Sequence, residues 1–215
     1  MTLKDNVKLN TISEGIMEKY RVVDKRILVG YQYSEQKNTI KACDEWLSAW
    51  DDIKLIMEET GINDINKLQK KYQWSDFLSN FVQDLEEELL RAGYKDKKYY
   101  NKRIKYCYEL LEGCIISNDL IIENTRRAIA ESYFLLDNRQ ECDRLFDMWL
   151  HNNPDWGWGY IGWADCYFFC VERETTDLEK ARSILEKALS RKILRDRIYV
   201  EERITDIYKE LNNQK

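Results

Sequence analysis

The sequence predicts an all-α fold of antiparallel helix hairpins, and three observations predict it. One proline and eight glycines in 215 residues leave almost no material for the turns of a β fold. Apolar residues recur at steps of three and four in nearly every window. The polar breaks between these stripes are about two to six residues long, which suits antiparallel neighbours. Hydrophobic residues at 44% and aromatics at 13% exclude intrinsic disorder. A chain of this length buries roughly 70% of its unfolded surface.

The first stripe is Ile12, Ile16, Tyr20, Val23, Ile27 and Tyr31, ended by the polar break Ser34 to Asn38. Ile40, Cys43, Leu47, Trp50, Ile53 and Met57 mark the second helix, with Gly61 as its C-cap. A short helix over Ile65 to Tyr72 follows. Phe77, Phe81, Leu85, Leu89 and Ala92 form a longer one closed by Gly93, and Lys98 to Cys114 form the next. Asn118 or Asp119 caps a helix running to Leu136. The remaining helices are expected over Gln140 to Asn152, Trp156 to Val171, Asp177 to Arg191 and Arg195 to Leu211. Three glycines inside Trp156 to Trp163 cost helix stability, about 1 kcal/mol each. They are therefore read as sites of close helix approach, with the tryptophans either packing between helices or lining a groove.

An internal repeat refines the architecture. Ala130, Tyr133, Cys142, Phe146, Trp149 and Pro154 have the spacing of a tetratricopeptide hairpin, in which small residues let two helices approach and an aromatic fills the gap to the next pair. Trp149 stands where a small residue is usual, so looser or re-angled packing is expected there. The spacing returns as Gly30, Tyr33, Ala42, Trp46 and Ala49. It returns again as Ala164, Tyr167, Ala181, Leu185 and Ala188, given about five extra residues in the turn Glu172 to Asp177. These matches define one tetratricopeptide-like domain over 1–215. Its hairpins are at about 12–60, 76–114, 119–154 and 156–191, and a capping helix covers 195–212.

Three stretches, Lys41 to Lys54, Asn124 to Tyr133 and Pro154 to Asp165, resemble a group of bacterial helical-repeat proteins. The resemblance runs roughly from Tyr33 to Leu211. In that group the repeat region often precedes a zinc-binding SEC-C motif, which needs a cysteine cluster near the carboxyl end. No cysteine follows Cys170 here, so the zinc-dependent role is not carried over. The resemblance implies fold more than function.

Chemical constellations are sparse. His151, the one histidine, sits in a polar turn, and Ser-His-Asp triads would all have to use it. The six cysteines form no CxxC pair, and Cys166 with Cys170 as well as Cys107 with Cys114 are read as core residues. The run Asp84 to Glu88 is read as a solvated acidic face. No phosphate-binding, dinucleotide or HExxH motif occurs. No catalytic residue, metal or cofactor is therefore assigned.

The function expected is a non-enzymatic scaffold that binds a peptide, a protein segment or a second copy of itself on its concave face. In tetratricopeptide folds the first helix of each hairpin lines that face. The corresponding positions here are Asn124, Arg127, Glu131 and Phe134, then Trp158, Ile161, Asp165 and Phe168. Asn124, Arg127, Glu131, Trp158, Asp165 and Phe168 are the partner-binding candidates; ion pairs within the helix are the competing reading of Arg126 and Arg127. The alternative is a regulatory or nucleic-acid-associated adaptor using the basic and aromatic segment 94–106. A net charge of −5 disfavours nucleic acid. No apolar run spans a membrane and no signal segment opens the chain, so a cytoplasmic location is expected.

Overall fold

The computed structural model describes residues 3–116, 118–169 and 176–213, with side chains from residue 15 onward. They form ten helices: α1 (Leu3–Glu35), α2 (Thr39–Thr60), α3 (Ile65–Lys71), α4 (Leu78–Gly93), α5 (Lys98–Gly113), α6 (Asp119–Leu135), α7 (Arg139–Asn152), α8 (Gly157–Phe168), α9 (Leu178–Leu189) and α10 (Arg197–Asn213). The chain divides into two compact units, residues 1–122 and 123–215. Among the described residues, no helix is long and apolar enough to cross a membrane.

In the first unit α1 and α2 form an antiparallel hairpin, since Lys19 pairs with Glu59 while Arg26 pairs with Asp52. Gly30 of α1 has no side chain because the Trp46 indole occupies that space. The indole N–H donates to the Ile27 carbonyl at 2.9 Å. The α4/α5 hairpin repeats the device, with the Tyr100 ring lying on Gly93. Contacts between the hairpins show how they stack. Tyr31 donates to Asp84 at 2.7 Å and Ser34 to Glu88 at 3.3 Å, so the first helices α1 and α4 run parallel. Tyr99 donates to Asp44 at 3.0 Å and Trp50 to Glu109 at 2.9 Å, so the second helices α2 and α5 run parallel too.

The second unit follows the same rule. Antiparallel α7 and α8 meet through the stacked rings of Phe146 and Trp163, 6.0 Å apart. The α8 and α9 pair closes around Ala164, Ala181, Leu185 and Ala188, all without exposed surface. Arg127 against Gly162 and Phe134 against Tyr167, the rings 5.2 Å apart, set α6 parallel to α8. Lys180 with Asp143 at 3.4 Å and Lys187 with Asp147 at 2.8 Å set α7 parallel to α9. First helices beside first helices and second beside second is the tetratricopeptide arrangement.

The turns carry the repeat as clearly as the helices. Lys37 and Asp137 both take left-handed backbone, with φ of 59° and 63°. The following Asn38 and Asn138 then have nearly identical dihedrals, −90° and 61° against −92° and 66°. Their N–H groups donate to the carbonyls of Tyr33 and Tyr133, at 2.8 and 2.9 Å.

Several expectations shift. Trp149, at the position where a small residue is usual in the repeat, is buried at 9% exposure. The acidic run is not a solvated face: Asp84 and Glu88 turn toward α1, and Glu88 is 2% exposed. The last helix starts at Arg197 because Asp196 is left-handed and the Arg195 N–H is held by the Asp155 carbonyl at 2.8 Å. Cys170, Val171 and most of the turn 172–177 lie outside the described residues.

Candidate functional site

All six partner-binding candidates belong to the second unit, on the first-helix elements α6 and α8. The 3.6-residue period puts Asn124, Arg127 and Glu131 along one face of α6, and Trp158, Asp165 and Phe168 along one face of α8. Gly162 draws the two helices together, because the Arg127 stem lies where its Cβ would stand, 2.5 Å from Arg127 Cδ. The guanidinium then reaches along α6, with Nε 3.2 Å from Glu131 Oε1. Glu123, three residues before Arg126 on α6, pairs with Arg195.

Asp165 is paired from a third helix. Arg203 of α10 places Nε 2.9 Å from Asp165 Oδ1. Burial pushes the Asp165 carboxyl up to about 6, and Glu131 adds to the rise while Arg203 and Arg127 oppose it. Arg127 Nε, Asp165 Oδ1 and Arg203 Nε make charge contacts without hydrogen-bond alignment. Four charges from three helices thus meet on one surface, balanced in sign.

Aromatic rings flank the cluster. Trp158, 36% exposed, lies 5.3 Å from the ring of Tyr199 on α10, which is 47% exposed. Phe168 is half-buried and touches Phe169 at 4.5 Å, and the Arg203 guanidinium sits 4.8 Å over the Phe169 ring. Asn124 is half-buried. Two further groove positions read from the sequence, Phe134 and Ile161, are core residues at 9% and 2% exposure.

Sequence reasoning missed Tyr199, Arg203 and Phe169. The signal for the first two was the four-residue spacing of Tyr199 and Arg203 on the helix read as a cap, which puts them on one face. Phe169 was obscured because it follows the last helical residue.

In the segment 94–106 one tyrosine, Tyr94, is open at 59% exposure, and the other aromatics named for it turn inward. Tyr99, Tyr100 and Tyr106 are buried, with Tyr106 donating to the Val82 carbonyl at 2.7 Å. Lys102 pairs with Asp44 at 3.1 Å, and Arg103, 2% exposed, pairs with Glu86. An open groove of about 370 Å³ between α2 and α5 is lined by Asp44, Trp50, Lys102, Tyr106 and Glu109, again with its charges paired. Burial pushes the thiols of Cys43 and Cys114 up, to about 12 and about 11. Among the described residues no three His, Cys, Asp or Glu side chains converge as a metal site requires.

No family model matches the chain. No curated protein matches it in sequence. The crystal structure of the P58(IPK) TPR domain is similar to it, at 13% identity and a TM-score of 0.39, over 98% of this chain and 64% of that one. The chain therefore spans less than two thirds of the length of that structure. At this level of similarity the fold rests on the helix pairing itself, which is all-α and tetratricopeptide-like.

Proposed function

We propose that the chain is a non-enzymatic interaction module whose second unit receives an extended protein segment on the exposed face of α6, α8 and α10. Stacked helical hairpins serve generally as binding scaffolds, because their first helices present a continuous surface. The observation that carries the reading is the exposed Trp158–Tyr199 pair beside the four-charge cluster. Tryptophan and tyrosine supply large contact area at low entropic cost and dominate binding hot spots. An apolar side chain of the partner rests on Trp158 and Tyr199, and a second rests on Phe168 and Phe169. Arg127, Glu131, Asp165 and Arg203 fix register by exchanging their mutual pairing for polar groups of the segment, with Asn124 at the edge.

Selection of a displayed random peptide library on the intact protein tests this. Recovered peptides are expected to share two apolar anchors a few residues apart. Binding should fall about 30-fold or more in Trp158→Ala/Tyr199→Ala, the loss of about 2 kcal/mol typical of a hot spot. Circular dichroism checks that the variant stays folded. Peptides retained equally by the variant, or no enrichment together with concentration-dependent self-association abolished by the same substitutions, would replace this reading, the latter with a homotypic interface.

A further inference from the structure

Cys142 on α7 and Cys166 on α8 face one another, with sulfurs 4.0 Å apart. Both helices are otherwise fixed by the Phe146 and Trp163 rings, so the approach is held by packing rather than by chance encounter. A disulfide needs sulfurs at about 2.05 Å, so closure requires roughly 2 Å of movement shared between two side chains. Cys142 has no exposed surface, and Cys166 is half-buried. Cys114 is placed differently, its sulfur 3.9 Å from the thioether of Met57, which cannot form such a bond.

We propose that Cys142 and Cys166 are a redox pair that closes to a disulfide joining α7 to α8 when the protein meets hydrogen peroxide. Cys166, the half-buried residue of the two, takes the first step. Its thiolate attacks a peroxide oxygen, the O–O bond breaks, and the departing hydroxide takes up a proton to leave as water. The resulting sulfenic acid is attacked by Cys142, the S–O bond breaks, and a second water leaves with the Cys142 proton. Two thiols lose two electrons, and one peroxide gains them.

The surroundings set the pace. Contact with the Cys142 thiol, then burial, then the charges of Glu131 and Asp165 hold the Cys166 thiol well above its ordinary value. The thiolate is therefore scarce at neutral pH, and the pair responds to sustained exposure and more quickly in alkali. Because Cys166 follows Asp165 in sequence, the crosslink lies beside the four-charge cluster.

Peroxide treatment of the full chain with dimedone present, then digestion without reduction and mass spectrometry, tests the proposal. The wild type is expected to yield a peptide pair linked through Cys142 and Cys166. It should also melt about 5 °C higher than the untreated protein, an increase reversed by dithiothreitol. Cys142→Ala, which places there the residue found at the corresponding position Ala42, should give a dimedone adduct on Cys166 and no rise in melting temperature. Recovery of Cys142 as an unlinked thiol while Cys166 carries sulfinic acid, or a link from Cys166 to a different cysteine, would overturn the assignment.

Discussion

Adding one methyl group to Gly30 tests the packing on which the repeat rests. The new Cβ would stand 2.0 Å from Trp46 Nε1 and 2.2 Å from Cδ1, whereas carbon atoms settle at about 3.5–4.0 Å. The indole has little room to retreat. It is 1% exposed, flanked by Tyr31 at 4.9 Å and Phe81 at 6.1 Å, and tied to the Ile27 carbonyl. Alanine gains up to about 1 kcal/mol in helix propensity. Against this, overpacking costs about 1–3 kcal/mol and the displaced indole bond about 1 kcal/mol more. Gly30→Ala should therefore destabilise by about 1–3 kcal/mol. Gly15→Ala, on the same helix with open space around it, should be neutral or stabilising by up to about 1 kcal/mol. Urea unfolding followed by circular dichroism measures both. With Trp46→Leu the steric cost disappears, so the double variant should be more stable than the two single losses sum to. A Gly30→Ala protein as stable as wild type, or strict additivity with Trp46→Leu, would refute the packing argument.

Three further outcomes are expected. Asp165 holds its proton to about pH 6 when folded but only to about 4 when unfolded, so the folded state binds the extra proton between these values and stability falls as pH rises through them; relative to Asp165→Asn, the wild type should lose about 2 kcal/mol between pH 4 and pH 7 in urea titrations. Asp143 accepts from the Trp163 indole at 2.5 Å and the Tyr167 hydroxyl at 2.8 Å, so Asp143→Ala should cost about 2–4 kcal/mol by calorimetry, with Asn restoring part of it. Asn138 caps α7 by accepting from the Glu141 N–H at 3.2 Å whereas Asn38 caps nothing, so alanine should cost about 1 kcal/mol at 138 and much less at 38 in thermal melts.

Helix periodicity made the fold legible because each stripe is buried by a neighbour that shows the same period. The knobs Trp46, Phe146 and Leu185 and the small residues opposite them were readable for the same reason, since a gap that small fits few side chains. The site was only half legible. Spacing identified which residues share the first-helix face, but not that Asp165 is answered by Arg203, some 38 positions further on and on a helix with no repeat partner. Nor did it separate Trp158, which stays open, from Ile161 three residues later, which is buried. One turn of helix decides that difference, and the neighbouring helix sets the angle. In the basic and aromatic run 94–106 the alternation of tyrosines and cations did not show that Tyr99, Tyr100 and Tyr106 turn into the hairpin while Tyr94 stays exposed.

Lys37 and Asp137 hold the left-handed backbone at which α1 gives way to α2 and α6 to α7. Each stores the roughly 1–2 kcal/mol that this region costs an L-residue. Reversal of the chain is therefore written into a backbone state and the asparagine after it, not into particular side-chain partners. Residues 37–38 and 137–138 become interchangeable joints: either dipeptide can be placed in the other hairpin without altering the direction in which the next helix departs. A glycine at either left-handed position would strengthen the joint, and a valine there would break it.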